Sequence, residues 1–92
     1  MTIEKINGHE YASVRVVKYD NGAEALVSYS TTVITIDEEG WIIVNGLYSR
    51  TTIKHIGWFM REIGGFTYQL AKQLYEDNKL FNIYTGEVID CD

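Results

Sequence analysis

Two histidines, His9 and His55, and one cysteine, Cys91, are the side chains of this 92-residue chain best suited to acid–base, nucleophilic or metal chemistry. Their spacing supports none of these. His9-Glu10, and His55 with Glu62, do not form a His-Glu-x-x-His pattern, which sets two imidazoles on one helix face around zinc. A catalytic triad needs a positioned nucleophile and an acid that orients the base, and nothing local to His55 marks either. A lone Cys91, one residue from the end, can neither close an intramolecular disulfide nor supply a zinc cluster, and is expected as a free thiol on a frayed tail in a reducing compartment. The expectation is a protein without catalytic residues, cofactor or metal. An enzyme using His55 is the least favoured of three readings.

Recognition is better served. Thr51, His55, Trp58 and Glu62 follow near-helical spacing and share a strip, with Tyr48 just before it and Arg50 and Lys54 beside it. An aromatic framed by polar side chains is what interface hot spots use, so these seven residues form the expected partner-binding set. The competing reading puts Trp58 in the core, under a second helix or the terminal hairpin, with His55 half-exposed. Asp37, Glu38 and Glu39 with Glu87, Asp90 and Asp92 form an alternative acidic face. It reads either as solvated turn and tail or as a phosphate-like surface that competes for a nucleic-acid-binding protein. Arg50 and Lys54 lie on one side of the same helix, with Arg61 elsewhere along it; an anion site there would lack a glycine-rich loop.

Hydrophobic residues make up 46% of the chain and include seven Tyr, three Phe and two Trp, enough for a folded core and against disorder. Ninety-two residues are read as one domain, 1–92, with a modest core. No apolar run is long enough for a membrane span and no signal-peptide pattern opens the chain, so a cytoplasmic protein is expected. The net charge of −5 is uneven. Residues 1–46 carry three bases against seven acids, residues 47–79 five against three, and residues 80–92 three acids alone. Nonspecific duplex binding is disfavoured, because counterion release needs a basic surface, although the middle third could supply a local one.

These residues sit in a legible order of elements. Residues 2–6 read as a short edge strand. Residues 11–19 alternate, with Ala12, Val14 and Val16 on one side and Ser13, Arg15, Val17 and Tyr19 on the other. Asn21-Gly22 predicts a type I′ hairpin with positive φ at both positions, returning through residues 23–29. Residues 28–32 read as a bend or bulge, residues 32–37 as a third main strand, and residues 37–40 as a second hairpin turn. Residues 41–45, Trp41-Ile42-Ile43-Val44-Asn45, read as a fourth strand whose unbroken apolar run suggests a central place or burial on both faces.

Ser49 is the N-cap candidate, with Thr51 or Thr52 as alternates, of a helix over residues 50–63, with Ile53, Ile56, Met60 and Ile63 as its apolar stripe and Gly64-Gly65 as its stop. Thr67 starts a second helix, with Phe66 as a staple, Leu70, Ala71 and Leu74 buried, and Asp77-Asn78 at its end. Residues 80–84 and 87–89 flank Thr85-Gly86 as a short terminal hairpin or strand. The predicted fold is α+β: an antiparallel meander of about four strands, then two helices packed on one face, then a short terminal β segment. A faint internal echo links Tyr29-Ser30-Thr31-Thr32 to Tyr48-Ser49-Arg50-Thr51-Thr52, one insertion apart.

Three groups of residues carry a resemblance: Ser28, Tyr29 and Thr31; Ile36, Asp37 and Gly40; and Gly46, Tyr48, Ser49, Thr51, Thr52, His55 and Ile56. Over about a third of its length the chain resembles a family of small uncharacterised domains encoded by phages and their Gram-positive hosts. The resemblance implies a phage or mobile-element setting and transfers no catalytic role. By analogy, small acidic proteins from that setting bind and block host enzymes, CRISPR nucleases among them. The leading expectation is a non-enzymatic binding protein directed at a host or phage protein. The alternative is a nucleic-acid-binding or small-ligand-binding accessory domain. A homo-oligomer is compatible with either.

Overall fold

The computed structural model describes residues 1–91. Seven strands pair antiparallel in sequence order: β1 (Thr2–Glu4), β2 (Val14–Lys18), β3 (Glu24–Ser28), β4 (Thr31–Ile36), β5 (Trp41–Val44), β6 (Lys79–Asn82) and β7 (Val88–Asp90). Helices α1 (Arg50–Gly64) and α2 (Tyr68–Asp77) are inserted between β5 and β6. The α+β class is as expected, but one sheet of seven strands replaces a meander of about four with a separate terminal piece. Strands of three or four residues are too short to show an alternation of their own. β6 joins by pairing Trp41 with Asn82 and Ile42 with Phe81, about forty residues apart in sequence, once the helices have folded back.

The two faces of the sheet differ. Val14, Val16, Leu26, Ile34, Ile36 and Ile42 point to one side and pack with Ile56, Phe59, Met60, Ala71 and Leu74 of the helices to form the core. The alternating positions point the other way, where no helix lies. There the row Ile3, Val17, Ala25, Thr35, Ile43 crosses five strands in register. β5 is central, but its apolar run is buried on one side only, since Ile42 is fully buried and Ile43 is 40% exposed.

The two ends of the sheet also differ. The β2–β3, β4–β5 and β6–β7 turns share one end, and the β3–β4 turn and the β5–α1 connection occupy the other. At the β2–β3 turn Tyr19 N–H donates to the Ala23 carbonyl (2.9 Å) and Gly22 N–H to the Tyr19 carbonyl (3.1 Å). Gly22 has φ +94° but Asn21 does not take positive φ, so the expected type I′ hairpin is instead a three-residue loop with a left-handed glycine at its bulge. The β4–β5 turn repeats this, with Gly40 at φ +95°.

Ser49 caps α1 as expected, its hydroxyl accepting from Thr52 N–H (3.3 Å), and Gly65 ends it at φ +72°. Thr67 occupies the N-cap position of α2 without a side-chain hydrogen bond, and Asn78 closes that helix at φ +54°. Phe66 meets Phe81 edge-on at 5.3 Å. Cys91 is a free, half-buried thiol whose backbone is fastened to Asn78: its N–H donates to the Asn78 carbonyl and its carbonyl accepts from Asn78 Nδ2, both at 2.9 Å. Residue 91 is therefore not the frayed end expected of it. Among the described residues no helix is long and apolar enough to cross a membrane.

Candidate functional site

The largest departure from the expected pattern lies on α1. Its buried residues are Thr52, His55, Ile56, Phe59 and Met60, while Ile53 and Ile63 are only half-buried. The apolar-stripe assignment thus placed His55 on the wrong side. His55 is 1% exposed and its Nδ1 lies 2.7 Å from Ser28 Oγ, itself 1% exposed. Ser28 Oγ lies 3.1 Å from Thr52 Oγ1, which lies 3.2 Å from the Ser49 hydroxyl. A chain of four polar side chains, buried at His55, Ser28 and Thr52 and reaching the surface at Ser49, thus ties the end of β3 to the first turns of α1. Such groups persist in a core because each has a partner, and no buried side-chain N or O among the described residues lacks one.

A serine beside a histidine is also the start of a nucleophilic dyad, but this one is sealed from substrate and, among the described residues, no carboxylate is bonded to the imidazole. Burial, then the nearby positive charges of His9 and Lys5, hold the His55 pKa below its ordinary value. The ring is therefore neutral at pH 7 and serves as a hydrogen-bonding strut. Among the described residues no three His, Cys, Asp or Glu side chains are grouped to hold a metal ion.

Above this chain sit two tyrosines in an unusual conformation. Tyr29 opens the two-residue β3–β4 turn at φ +56° and Tyr48 precedes the cap of α1 at φ +54°. Positive φ costs a bulky side chain about 1–3 kcal/mol and persists where the surroundings over-determine it. The surroundings here are specific. Tyr29 N–H donates to the Ser13 carbonyl (2.8 Å), and the Tyr29 carbonyl accepts from Arg15 Nη1 (3.2 Å). Asn45 N–H donates to the Val33 carbonyl (2.8 Å) and its side chain to the Thr32 carbonyl (3.1 Å), fastening the β5–α1 connection to the start of β4. The Tyr48 ring lies against Gly46, where a Cβ would meet its Cζ at 2.8 Å. Both rings remain open to solvent, Tyr29 at 53% and Tyr48 at 61% exposed. Ser30, Thr31, Arg50 and Thr51 are exposed beside them, and Tyr11 is fully exposed in the loop before β2. The echo noted in the sequence is thus a repeated backbone feature.

Of the expected partner-binding set, Tyr48, Arg50, Thr51 and Lys54 are exposed together at the start of α1, and His55 is withdrawn into the core. Trp58 falls between the two readings. It is half-buried, stacked flat on His9 with centroids 3.6 Å apart and planes 8° apart, and 5.3 Å from the His55 ring. Ile6, Asn7, His9, Trp58, Arg61 and Glu62 line a cleft of about 200 Å³ there, with Glu62 accepting from Asn7 N–H (3.3 Å). Arg50, Lys54 and Arg61 lie within about 40° of one another around the helix axis, so Arg61 extends the basic stripe. None of the three is in an ion pair among the described residues.

The acidic face divides. Asp37, Glu38, Glu39 and Glu87 share the turn end, where Asn82 donates to the Glu39 carbonyl (3.0 Å) and its N–H to the Glu87 carbonyl (2.9 Å). Asp90 is at the opposite end, paired with Lys79 at 3.4 Å, and Asp92 lies outside the described residues. Reading α1 alone missed Tyr29 and the His9 stack. The pairing of Ser28-Tyr29 with Tyr48-Ser49 in the motif pattern was the available signal.

Residues 1–83 match the profile of DUF8033, a family of unknown function, and the chain belongs to that family. No curated protein and no solved structure matches it.

Proposed function

We propose that this member of the DUF8033 family is a non-enzymatic binding protein that engages another protein through the end of the sheet bearing Tyr29 and Tyr48. The carrying observation is the pair of solvent-exposed tyrosines, both at positive φ, held over a buried hydrogen-bond chain. Rigid tyrosines among Ser, Thr and Asn loop residues are the composition of protein-recognition loops, where a large amphipathic ring adds contact area at low entropic cost. Arg50 and Lys54 supply an electropositive rim suited to an acidic region of the partner. The resemblance to phage-encoded domains supports a host or phage protein as that partner, a CRISPR-type nuclease being one such target, with binding that blocks it.

The test separates binding from folding. Tyr29→Gly and Tyr48→Gly relieve the left-handed strain, so each should melt no lower than the parent and gain up to about 1 kcal/mol. Each should also lose about tenfold or more in capture of the partner from host lysate. Variants that are folded and capture the same partner undiminished refute the reading. A second reading rests on the unpaired stripe Arg50, Lys54, Arg61, which suits the phosphates of a nucleic acid. A salt-sensitive mobility shift with single-stranded or duplex DNA, lost in Lys54→Glu, would favour it.

A further inference from the structure

We infer that the outward face of α1 between Lys54 and Glu62 is a nucleotide-binding site, with the phosphate seated over Gly57 between Lys54 and Arg61 and the base in the cleft beside Trp58. This rests on the nucleic-acid reading of the basic stripe and is independent of the tyrosine end.

Gly57 points to it first. Glycine inside a helix is destabilising relative to alanine, so a mid-helix glycine needs a reason. The fold supplies none. Gly57 is half-buried and takes an ordinary helical conformation. Among the described residues a Cβ there would meet only Tyr68 Cβ, at 3.8 Å, an ordinary van der Waals contact. A missing side chain also lets a ligand approach the backbone closely. Lys54 stands three residues before Gly57 and Arg61 four after, about 4.5 Å and 6 Å along the axis and on the same side of the helix. Both are exposed, and neither is in an ion pair among the described residues. Two free cations thus flank a gap open to the helix backbone. That arrangement suits an oxyanion, and the planar guanidinium of Arg61 matches a phosphate.

The cleft supplies the other half. Arg61 also lines the cleft of about 200 Å³ that it shares with Ile6, His9, Trp58 and Glu62. That volume is below the ~300–1,000 Å³ of pockets for drug-sized ligands and suits one planar ring system. The His9–Trp58 stack, 3.6 Å between centroids, gives the cleft an aromatic wall, and every base has a π-face to pack on such rings. Ile6, 2% exposed, adds an apolar patch. Glu62 accepts from Asn7 N–H, and its carboxylate keeps acceptor capacity for the amino group of a base. Phosphate seat and cleft share Arg61, so they are adjacent parts of one site. The net charge of −5 works against a long polyanion and favours a nucleotide, free or in a short single strand, over duplex.

Two probes separate the sources of such a ligand: AMP, followed by isothermal titration calorimetry, and a fluorescein-labelled deoxyadenylate strand about 12 nucleotides long, followed by anisotropy. At least one should bind with a Kd below about 1 mM. AMP binding assigns a free nucleotide; binding of the strand alone assigns a nucleotide within a chain. Lys54→Gln and Arg61→Gln should each weaken binding about tenfold, and for the strand each should lower the salt slope by about one. Gly57→Leu, which fills the seat, and His9→Ala, which removes half of the aromatic wall, should each weaken it about tenfold. Gly57→Ala should melt a few degrees above the parent and bind about threefold more weakly; a lower melting temperature would show that the fold itself needs the glycine and overturn the inference. If Gly57→Leu fails to fold, Gly57→Ala decides the seat alone. Binding lost in Lys54→Gln yet unchanged in Gly57→Leu and His9→Ala overturns the site and leaves the nucleic-acid reading in place. Failure of both probes to bind overturns it outright. Poly-glutamate that competes as well as the unlabelled strand does so in favour of an acidic protein.

Discussion

The two ends of the sheet solve the same problem by opposite means. At the acidic end the turns are set by residues whose own chemistry wants them. Gly22 and Gly40 take positive φ freely, and Asp37 Oδ1 accepts from Glu39 N–H and Trp41 N–H at 2.9 Å each. At the tyrosine end the same left-handed region is occupied by Tyr29 and Tyr48, which resist it. Beneath them lies a buried hydrogen bond from Ser28 to His55 that spans 27 residues of sequence. A glycine turn takes this conformation without strain. A strained aromatic turn needs a core beneath it, and the presence of one is why this end draws the functional assignment.

That contrast can be broken at either end. The largest effect is expected from His55→Ala, which opens a cavity and takes from the buried Ser28 hydroxyl its 2.7 Å partner; a loss of about 3 kcal/mol should appear in chemical denaturation. A loss under about 1 kcal/mol would mean the chain of hydroxyls is not what holds the tyrosine end. Next comes Gly40→Ala, expected to cost about 2 kcal/mol, because φ is +95° and the new Cβ would meet the Tyr84 ring. Gly22→Ala shares the backbone penalty, but nothing lies within 4 Å of its Cβ, so about 1 kcal/mol is expected. Equal melting temperatures for the two variants would show that backbone strain alone decides the turn and that the packing of Tyr84 on Gly40 contributes nothing.

The smallest expected effect is of pH. Folding holds the His55 pKa below the unfolded value of 6.5. As pH falls past 6.5 the unfolded chain takes up its proton before the native one does. The stability contribution is therefore complete above about pH 6.5 and is lost on acidification towards the folded pKa. Melting temperatures at pH 7.5, 6.5 and 5.5 should fall in that order for the parent and show a shallower trend in His55→Asn. His9 and Lys5 act on His55 in the same direction as its burial. A parent that gains stability on acidification would contradict the assignment of a neutral, buried imidazole.

How much was legible depends on the range over which each feature is determined. Caps and turns at Ser49, Gly65, Asn78 and Gly40 follow from one residue's conformational preference, and they appear where expected. Asn21-Gly22 shows the limit of a dipeptide rule, since the loop took a third residue and left Asn21 out of the left-handed region. The alternation of Val14, Arg15, Val16 and Val17 marked the sides of β2 correctly. It could not say which side of the sheet the helices would pack on, because Ile43 and Ile42 are equally apolar in sequence.

By itself the sequence determined the α+β class, the helix limits and most strand positions, because hydrophobic period and capping act within a few residues. The tertiary structure alone decided that β6 and β7 complete the same sheet, since their pairing closes a loop across both helices. It also decided that His55 is core rather than interface. Helical periodicity sorts residues by hydrophobicity, and a histidine whose partner comes from a strand 27 positions away reads as polar until that strand is in place.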